Sequence, residues 1–588
     1  MSCRLLPAPA TLTISQPLAL WKIAAPVAAG LQRNNSAIQE SAVCKARHFG
    51  FALLIALLSS LAFAQDYKLA LDLKADSSSD LVNVIVQFKH VPGETHRNKI
   101  RNTGGSVDGD LSLVKALSGR VPKNRLRELA SDPEVTHISP DRSLRSYLNN
   151  ATVAVNAPAA WSQGFEGSGI GVAVLDSGVQ NVNDLVSQGG NRIAYSASFV
   201  AGDSSTSDAW GHGTHVSGII GGNGHSSKGL YQGMAPVASI VNLRVLDANG
   251  VGRDSYVINA IQAAIALKDT YNIRVINLSL GRPVYESYTV DPLCQAVEQA
   301  WQAGIVVVVA AGNDGRDNSA GTNGYATITA PGNDPYVITV GAMKSMGTPT
   351  RADDLIATYS SKGPTAIDHI AKPDIVAPGN LVVSLDGNGT LTQQYPQNVV
   401  DKKYFTLSGT SMATAVVSGA VADLLEAQPA LTPDQVKALL MKSAYKVFPQ
   451  YSSYTDPASG VTYTDQYDIF TIGAGYLDLQ AALASTEVAP ANLTAESPTA
   501  VYDSTTQSVY LVQNDSAIWG GSAIWGGSAV WGGSVFVGGS SAVWGGSAVW
   551  GGSSTSGFSA VWGGSAVWGG SSTDATESLS IALNGDND

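Results

Sequence analysis

Charged residues are scarce in this chain of 588 residues. Asp, Glu, Lys and Arg make up 14% of it, well below the roughly 25% typical of a soluble domain. Positive charge is the scarcer kind, because residues 146–588 carry seventeen Lys and Arg against thirty-five Asp and Glu. Nucleic acids are bound through Lys and Arg contacts to phosphates, so this balance argues against a nucleic-acid partner.

Cysteine is also scarce, with three in the whole chain. Cys3 and Cys44 fall in a predicted leader, and Cys294 lies alone in a stretch with helical periodicity. This count excludes a disulfide framework. We predict that Cys294 is a buried structural thiol.

Long apolar runs are missing as well. The apolar run that begins at Phe51 is shorter than the roughly 20 residues that cross a membrane. It follows basic residues and ends at Ala62-Phe63-Ala64, a pattern typical of a secretory signal peptide with its cleavage site. We therefore predict a leader at residues 1–64, no transmembrane segment, and a secreted, extracellular protein.

Beyond the leader, composition and periodicity divide the chain into four segments. We predict a small α+β module at 65–147, a larger α/β domain at 148–485, a polar linker at 486–515 and a tail at 516–588. The tail repeats SAVWGG, and it has no charged residue between Asp515 and Asp574. This composition favours a disordered low-complexity segment, with a stack of hexapeptide coils as the alternative. Exposed indoles in either form would favour association with surfaces, including the cell surface.

The pattern at 148–485 is one of apolar strands alternating with helices. Near-continuous apolar runs such as GIGVAVLD, RVINLSL and GIVVVVAAGN indicate strands buried on both faces. The alternation predicts an α/β fold with a doubly wound, mostly parallel sheet. A late helix should begin after Thr432, because Thr432, Pro433 and Gln435 have the spacing of a capping box with proline in the first position.

Three polar residues stand at predicted strand ends or helix starts: Asp176 in VAVLDSG, His212 in HGTHVSG and Ser411 in SGTSMATA. Each has a structural alternative. Asp176 suits a turn, His212 and His215 have the spacing of a metal pair, and Ser411 suits a helix cap. Together they supply an orienting acid, a base and a nucleophile.

These stretches, with VINLSLG and VVAAGN, resemble the motifs of subtilisin-like serine peptidases and occur in the family order, Asp, His, Ser. The resemblance implies that Asp176, His212 and Ser411 form a catalytic triad and that Asn313 is the oxyanion donor. It also implies protein or peptide substrates. Residues 65–147 resemble the family's inhibitory propeptide, through VIVQFK, ALSGRVP and DPEVTHISPD. We therefore predict an inhibited precursor that cuts itself between about Asp141 and Asn150.

The resemblance also implies where substrate binds. The predicted binding edges are Gly250, Val251 and Gly252 on one side and Ser279, Leu280 and Gly281 on the other, with Ala311 and Gly312 at a specificity pocket. No cofactor is required for this chemistry. Asp184 matches a family calcium ligand, but the loop that follows His212 departs from the family pattern, so a structural calcium ion is left open.

Two other functions remain open from the sequence. One is a binding protein that keeps the fold and adheres through the Trp tail. The other is a serine esterase or peptide ligase that uses the same site.

Overall fold

The computed structural model describes residues 68–70, 73, 77–141, 143–146, 154–187, 189–346, 348, 350–457, 459–503, 508–512, 535–536, 542–544, 548–550 and 575–586. All of them belong to one compact unit, Gln65–Asp588. The predicted signal peptide and most of the SAVWGG repeats lie outside the described residues. Among the helices of this described part, none has both the length and the apolar character needed to cross a membrane.

A central sheet of eight strands forms the body of the molecule. In spatial order its strands are Leu355–Ile356, Ile338–Lys344, Val306–Ala310, Ile273–Leu278, Gly171–Asp176, Ser239–Arg244 and Ile193–Ser198, with Ile375–Pro378 paired to Ile338–Lys344. All pairs are parallel except the one made by the edge strand Leu355–Ile356. The predicted apolar runs form these strands, because helices cover both faces of a parallel sheet.

The helices of this body are Ala157–Trp161, His212–Gly221, Asp254–Tyr271, Pro292–Gln302, Thr390–Gln394, Thr410–Ala427, Pro433–Ser443, Ile469–Ile472 and Leu479–Ala484. The predicted capping box is confirmed: the Thr432 hydroxyl accepts from Gln435 N at 3.2 Å, and the Gln435 side chain accepts from Thr432 N at 3.0 Å. Cys294 is buried with a free thiol, as predicted.

Shorter elements complete the body. Short strands lie at Val186–Ser187, Gly190–Asn191, Val251–Arg253, Leu280–Gly281, Val382–Leu385, Val399–Val400, Tyr404–Leu407, Tyr451–Thr455 and Thr462–Gln466. Single 3-10 turns lie at Asn183–Leu185, His225–Ser227 and Pro396–Asn398.

The helix Thr410–Ala427, called here the serine helix, runs through the core. Its N-cap is Gly409, which makes no side-chain cap. The interpretation of Ser411 as a helix cap is therefore wrong, because Ser411 is the second residue inside the helix. Its hydroxyl is not used to cap the first turn.

Residues 77–141 form a separate module on one side of this body. Four antiparallel strands lie in the order Ser106–Leu111, Ala116–Pro122, Leu81–Phe88 and Val135–Pro140, with helices Glu94–Asn102 and Leu126–Ser131 and 3-10 turns at Ser112–Val114 and Lys123–Arg125. The module has its own apolar core, which includes Val84, Val86, Ile100, Leu117 and Leu129. A short strand, Ser143–Ser146, follows it.

The predicted polar linker at 486–515 differs from the structure. Its buried Ser497 donates to Asp374 and accepts from Lys437 Nζ at 2.9 Å. Strands Thr499–Asp503 and Ser508–Val512 follow as an antiparallel pair. Ala371 N donates to Pro498 O at 2.8 Å, so this segment belongs to the packed body and not to a spacer.

The predicted low-complexity tail also does not extend to residue 588. A helix, Ala575–Asn584, buries Ile581, Ala582 and Leu583 in the same apolar core as the central sheet. Earlier in the tail the described pieces are the short strands Val535–Phe536, Ala542–Trp544 and Ala548–Trp550. The final part of the tail is therefore a structural element of the body.

Candidate active site

Asp176 and His212 meet at the carboxyl edge of the central sheet. Asp176 ends strand Gly171–Asp176, and His212 begins helix His212–Gly221. The two side chains are joined by a hydrogen bond of 2.6 Å between His212 Nδ1 and Asp176 Oδ1, and both are buried. Because a carboxylate only accepts, Nδ1 carries the proton and Nε2 is left as the basic nitrogen of the neutral ring.

Two residues that the sequence reasoning missed hold this pair. Asp208 is fully buried, and its carboxylate accepts from Gly211 N at 2.7 Å and from Thr214 N at 2.8 Å, which caps the start of the histidine-bearing helix. The Ser177 hydroxyl donates to Asp208 at 2.8 Å and accepts from Gly213 N at 3.0 Å. Burial raises the pKa of Asp208, although these hydrogen bonds oppose the rise.

His215 has a different role from His212. Its Nε2 donates to the Phe405 carbonyl at 2.9 Å, and the ring is fully buried. Burial, and to a smaller extent the nearby His212, lowers the pKa of His215 to about 3. The metal-pair interpretation is not supported, because the described residues contain no group of three or more His, Cys, Asp or Glu arranged to hold a metal.

Ser411 is fixed to the neighbouring strand end by two hydrogen bonds. Its hydroxyl donates to Ser279 O at 3.0 Å, and its carbonyl accepts from the Ser279 hydroxyl at 2.7 Å. Because Ser411 lies in the first turn of the serine helix, its backbone N–H has no intrahelical partner. A hydroxyl and an N–H without an intrahelical partner thus stand together at the positive end of a helix.

Asn313 lies beside the start of the serine helix. Its side-chain oxygen accepts from Thr410 N at 2.9 Å and from the Thr410 hydroxyl at 3.0 Å. This orients the amide, and its Nδ2 is a buried donor with no hydrogen-bond partner among the described residues. Asn313 therefore presents one available donor beside the start of the serine helix.

The two predicted substrate edges are occupied by a segment of the chain itself. Strand Ser143–Ser146 lies between strands Val251–Arg253 and Leu280–Gly281 and pairs antiparallel with both. Gly281 packs closely against the body on its other side, since a Cβ there would lie 2.5 Å from Thr329 Oγ1. The site accommodates an extended peptide by backbone pairing on both sides.

Comparison with known proteins places this geometry in a family. The sequence profile of the subtilase family matches residues 167–475, more than half of the chain. The chain belongs to the subtilase family. It is a serine endopeptidase with a mixed α/β sheet.

Three curated relatives show how far the likeness extends. Serine protease AprX of Bacillus subtilis is 36% identical over 382 residues, which cover 62% of this chain and 83% of the relative. Subtilisin E of the same species is 34% identical over 379 residues, covering 63% and 87%. An alkaline protease of Shouchella clausii is 33% identical over 338 residues, covering 57% and 75%.

The predicted pocket residues of this subtilase are part of its buried backbone. Ala311 N donates to Val340 O at 3.0 Å, and Ala311 O accepts from Thr329 N at 2.9 Å. Gly312 has φ of +109°, and its N–H donates to the Thr410 hydroxyl at 3.2 Å. Ala311 and Gly312 lead directly into Asn313, and their bonded backbone lies beside it.

Asp184, the calcium candidate, does not fit a metal ion in this subtilase. One carboxylate oxygen accepts from the Ser226 N–H at 3.1 Å and from the Ser226 hydroxyl, and the other accepts from the Tyr404 hydroxyl at 2.6 Å. Donors therefore point at both oxygens, where calcium would need free oxygen ligands. At this position the carboxylate is satisfied by hydrogen bonds from Ser226 and Tyr404.

Proposed function

We propose that this subtilase cleaves peptide bonds through an acyl-enzyme formed on Ser411. His212 Nε2 takes the Ser411 proton as the oxygen attacks the carbonyl carbon, and then gives that proton to the leaving amine. A water molecule then gives a proton to His212 Nε2 as it attacks the acyl carbon. His212 returns that proton to the Ser411 oxygen as the ester bond breaks, and the carboxylic acid product leaves. Asp176, bonded to Nδ1, holds the tautomer and stabilises the imidazolium.

In this proposal Asn313 and the Ser411 backbone N–H stabilise the oxyanion. The support is the unpaired Asn313 amide, which is held by Thr410 beside the first turn of the serine helix. Preorganised donors of this kind act on charge that develops only in the transition state. Proton transfer and hydrogen bonding suffice, so the reaction requires no cofactor.

The observation that carries the function is the strand Ser143–Ser146 in the substrate groove. Its register pairs Arg145 with Gly281 and Ser146 with Leu280. In the same register the next pair would be residue 147 with Ser279, whose carbonyl accepts the Ser411 hydroxyl. Tyr147 itself lies outside the described residues. Because the register would bring it next to Ser279 and Ser411, we propose the bond Tyr147–Leu148 as the self-cleavage site.

We further propose that the module at 77–141 inhibits the enzyme before and after this cut. It contacts the peptidase body through a buried pair, His137 with Glu286, and through Asp141, which accepts from Ser255 N at 3.0 Å at the start of helix Asp254–Tyr271. Ser112 and Leu113 both donate to Gln262. A strand in the groove, tethered to a docked module, blocks substrate without needing an irreversible bond.

Export is the remaining part of this proposal. Its support is the apolar run that ends at Ala62-Phe63-Ala64, together with a Trp-rich segment suited to cell-surface association.

The acidic body and the slightly basic module attract each other, which should assist docking at low salt.

The test compares the full chain with Ser411→Ala, both expressed with their leaders in a protease-deficient host. The wild type should begin at Leu148 and hydrolyse casein, whereas the variant should keep residues 65–147 and be inactive, because no nucleophile forms the acyl-enzyme. Ser418→Ala is the matched control, since it removes a buried serine hydroxyl from the same helix, and among the described residues that hydroxyl bonds to Asn277 alone. Casein hydrolysis by Ser411→Ala would refute the mechanism, and equal trimming of both proteins would refute self-processing.

A further inference from the structure

Residues 575–586, called here the docking segment, lie outside the family match at 167–475. Nevertheless they are built into the peptidase body. Their helix contacts strand Tyr404–Leu407, and three consecutive side chains, Ile581, Ala582 and Leu583, are buried. The peptidase body of this chain therefore includes an element beyond the family match, separated from it in sequence by the Trp repeats.

Asp586 anchors the segment in a polar pocket and is 1% exposed. Its carboxylate accepts from Arg316 Nη2 at 2.7 Å, from the Thr358 hydroxyl at 2.9 Å and from Thr358 N at 2.8 Å. Its backbone N–H donates to the Asn380 side chain at 2.9 Å, and its carbonyl accepts from the same amide at 3.3 Å. Every polar group of this residue is paired, as in a specific binding site.

The helix preceding Asp586 makes backbone contacts of its own. Ser408 N donates to Ala582 O at 2.7 Å, and Asn398 Nδ2 donates to Leu583 O at 2.8 Å. Gly585 fits only without a side chain, because a Cβ there would lie 2.3 Å from the Ser408 hydroxyl and the Asn380 side chain. Main-chain pairing and a shape restriction thus fix the register of the segment.

These contacts fall on the two chain segments that lead to the oxyanion donors. Arg316 is three residues beyond Asn313, and Ser408 is three residues before Ser411. In the first of these segments, Gly315 N donates to Tyr359 O at 2.9 Å. Tyr359 follows Thr358, which bonds to Asp586. One short segment therefore holds both the loop that carries Asn313 and the start of the serine helix.

We propose that the docking segment is a separable peptide ligand of the peptidase body and that its binding positions the oxyanion hole, with Asp586 as a positioning residue. The proposal rests on the proposed roles of Asn313 and Ser411. It predicts that a cut within the repeats leaves the segment bound. It also predicts that losing the segment lowers turnover and not substrate affinity, because the donors act in the transition state.

The first experiment uses full-length Asp586→Ala, Asp586→Asn and, as control, Ser580→Ala, which lies exposed on the same helix. With a short peptide substrate, Asp586→Ala should lower kcat about tenfold with KM within about twofold, and Asp586→Asn should recover part of it, as expected when only a transition-state interaction is lost. If Tm falls while kcat is unchanged well below Tm, the segment is merely structural and the proposal is overturned.

The second experiment leaves the docking segment of the chain unchanged and reads binding without activity. A recognition sequence for a specific protease is placed at 555–560 in the full-length Ser411→Ala chain, which is then cut. The fragment that contains 575–586 should co-elute with the body, and a synthetic 575–588 peptide should displace it, whereas a peptide with Asp586→Ala should not. Separation of the fragment in native buffer would overturn the proposal.

The same cut in the active chain connects binding to catalysis. Removing the fragment by excess washing under mild denaturant should lower kcat about tenfold, and adding the 575–588 peptide should restore it. An unchanged kcat after removal would overturn the positioning role. If the uncut chain has no Ser411-dependent activity, the proposed function has failed, while the binding result stays interpretable.

Discussion

Replacing Asn313 tests the oxyanion hole most directly, because its two side-chain atoms have separable tasks. The oxygen accepts two hydrogen bonds from Thr410, at 2.9 and 3.0 Å, and the nitrogen is buried with no partner in the part of the chain that the structure describes. Asn313→Ala removes both functions. Asn313→Asp keeps the acceptor and replaces the donor with an oxygen that repels the forming anion.

The expected magnitudes follow from these contacts. In subtilisin, removal of one oxyanion donor costs about 2.7–4 kcal/mol, or about 10²–10³ in kcat, and we expect Asn313→Ala to lose this much. It also leaves the buried Thr410 N–H unpaired, which should lower the free energy of unfolding by about 1–3 kcal/mol. Asn313→Asp should lose at least as much kcat, because it adds repulsion.

The assay separates kcat from KM with a short peptide substrate, after both variants have been processed in trans by wild-type enzyme that is then removed. KM should change little, since the donor acts on charge that appears in the transition state. Asn333→Ala is a matched control, because its amide nitrogen is also buried and unpaired but its oxygen accepts from Cys294. A fall in kcat of less than about threefold in Asn313→Ala, or an effect confined to KM, would refute the assignment.

Three further predictions concern stability, each measured in the inactive Ser411→Ala chain. Since the pKa of His215 is about 3 when folded and near 6.5 when unfolded, the unfolded chain binds more protons between these values, and stability should fall as pH drops from 6.5 to 3, by up to about 5 kcal/mol. Urea unfolding at several pH values should show this, and His215→Gln should reduce it. A chelator should leave Tm unchanged if Asp184 binds no ion, whereas Tyr404→Phe should lower it. A chain that ends at residue 490 should unfold at lower urea concentration, because it loses the bonds that Ser497 makes to Asp374 and Lys437.

The sequence was sufficient for the sheet and for the residues brought together at its edge. Strand Val306–Ala310 is apolar throughout, and Gly171–Asp176 is apolar up to Asp176, because both faces of these strands are covered, and this leaves a clear signal. Asp176, His212 and Ser411 were recognisable as an ordered set of motifs that resembles the subtilase pattern, and the expected role of Asn313 came from the same resemblance. Parallel strands bring their carboxyl ends to one edge, and the structure joins Asp176 to His212 there and Asn313 to Thr410, the neighbour of Ser411.

Residues that support the site left a weaker signal. Asp208 stands four residues before His212, but its importance comes from two N–H groups and the Ser177 hydroxyl, which only the fold brings together. The start of the serine helix was misplaced for a similar reason. Ser and Thr at a helix start resemble caps, and only the backbone shows that Gly409 takes that position.

The segments around the Trp repeats were misjudged because composition carries little information about docking. Residues 486–515 are polar, yet Ser497 is buried through two charged partners and Leu511 packs beside Ala438, Met441 and Ala474. The docking segment is a ten-residue helix, which is marginal in isolation. Its stability comes from tertiary contacts such as those of Asp586. One aspartate in a sequence does not predict a docking site.

The positions of these two segments change what a cut in the repeats would do. Residues before the repeats pack on the body through Ser497 and Leu511, and residues after them pack through Asp586. A protease that acts on the SAVWGG sequence would then break the chain without removing either flank. The repeats can therefore serve in adhesion and be cut while the active site stays intact, because the segments on both sides of the cut are held by the body. A tail without the contacts of the docking segment would be lost after the same cut.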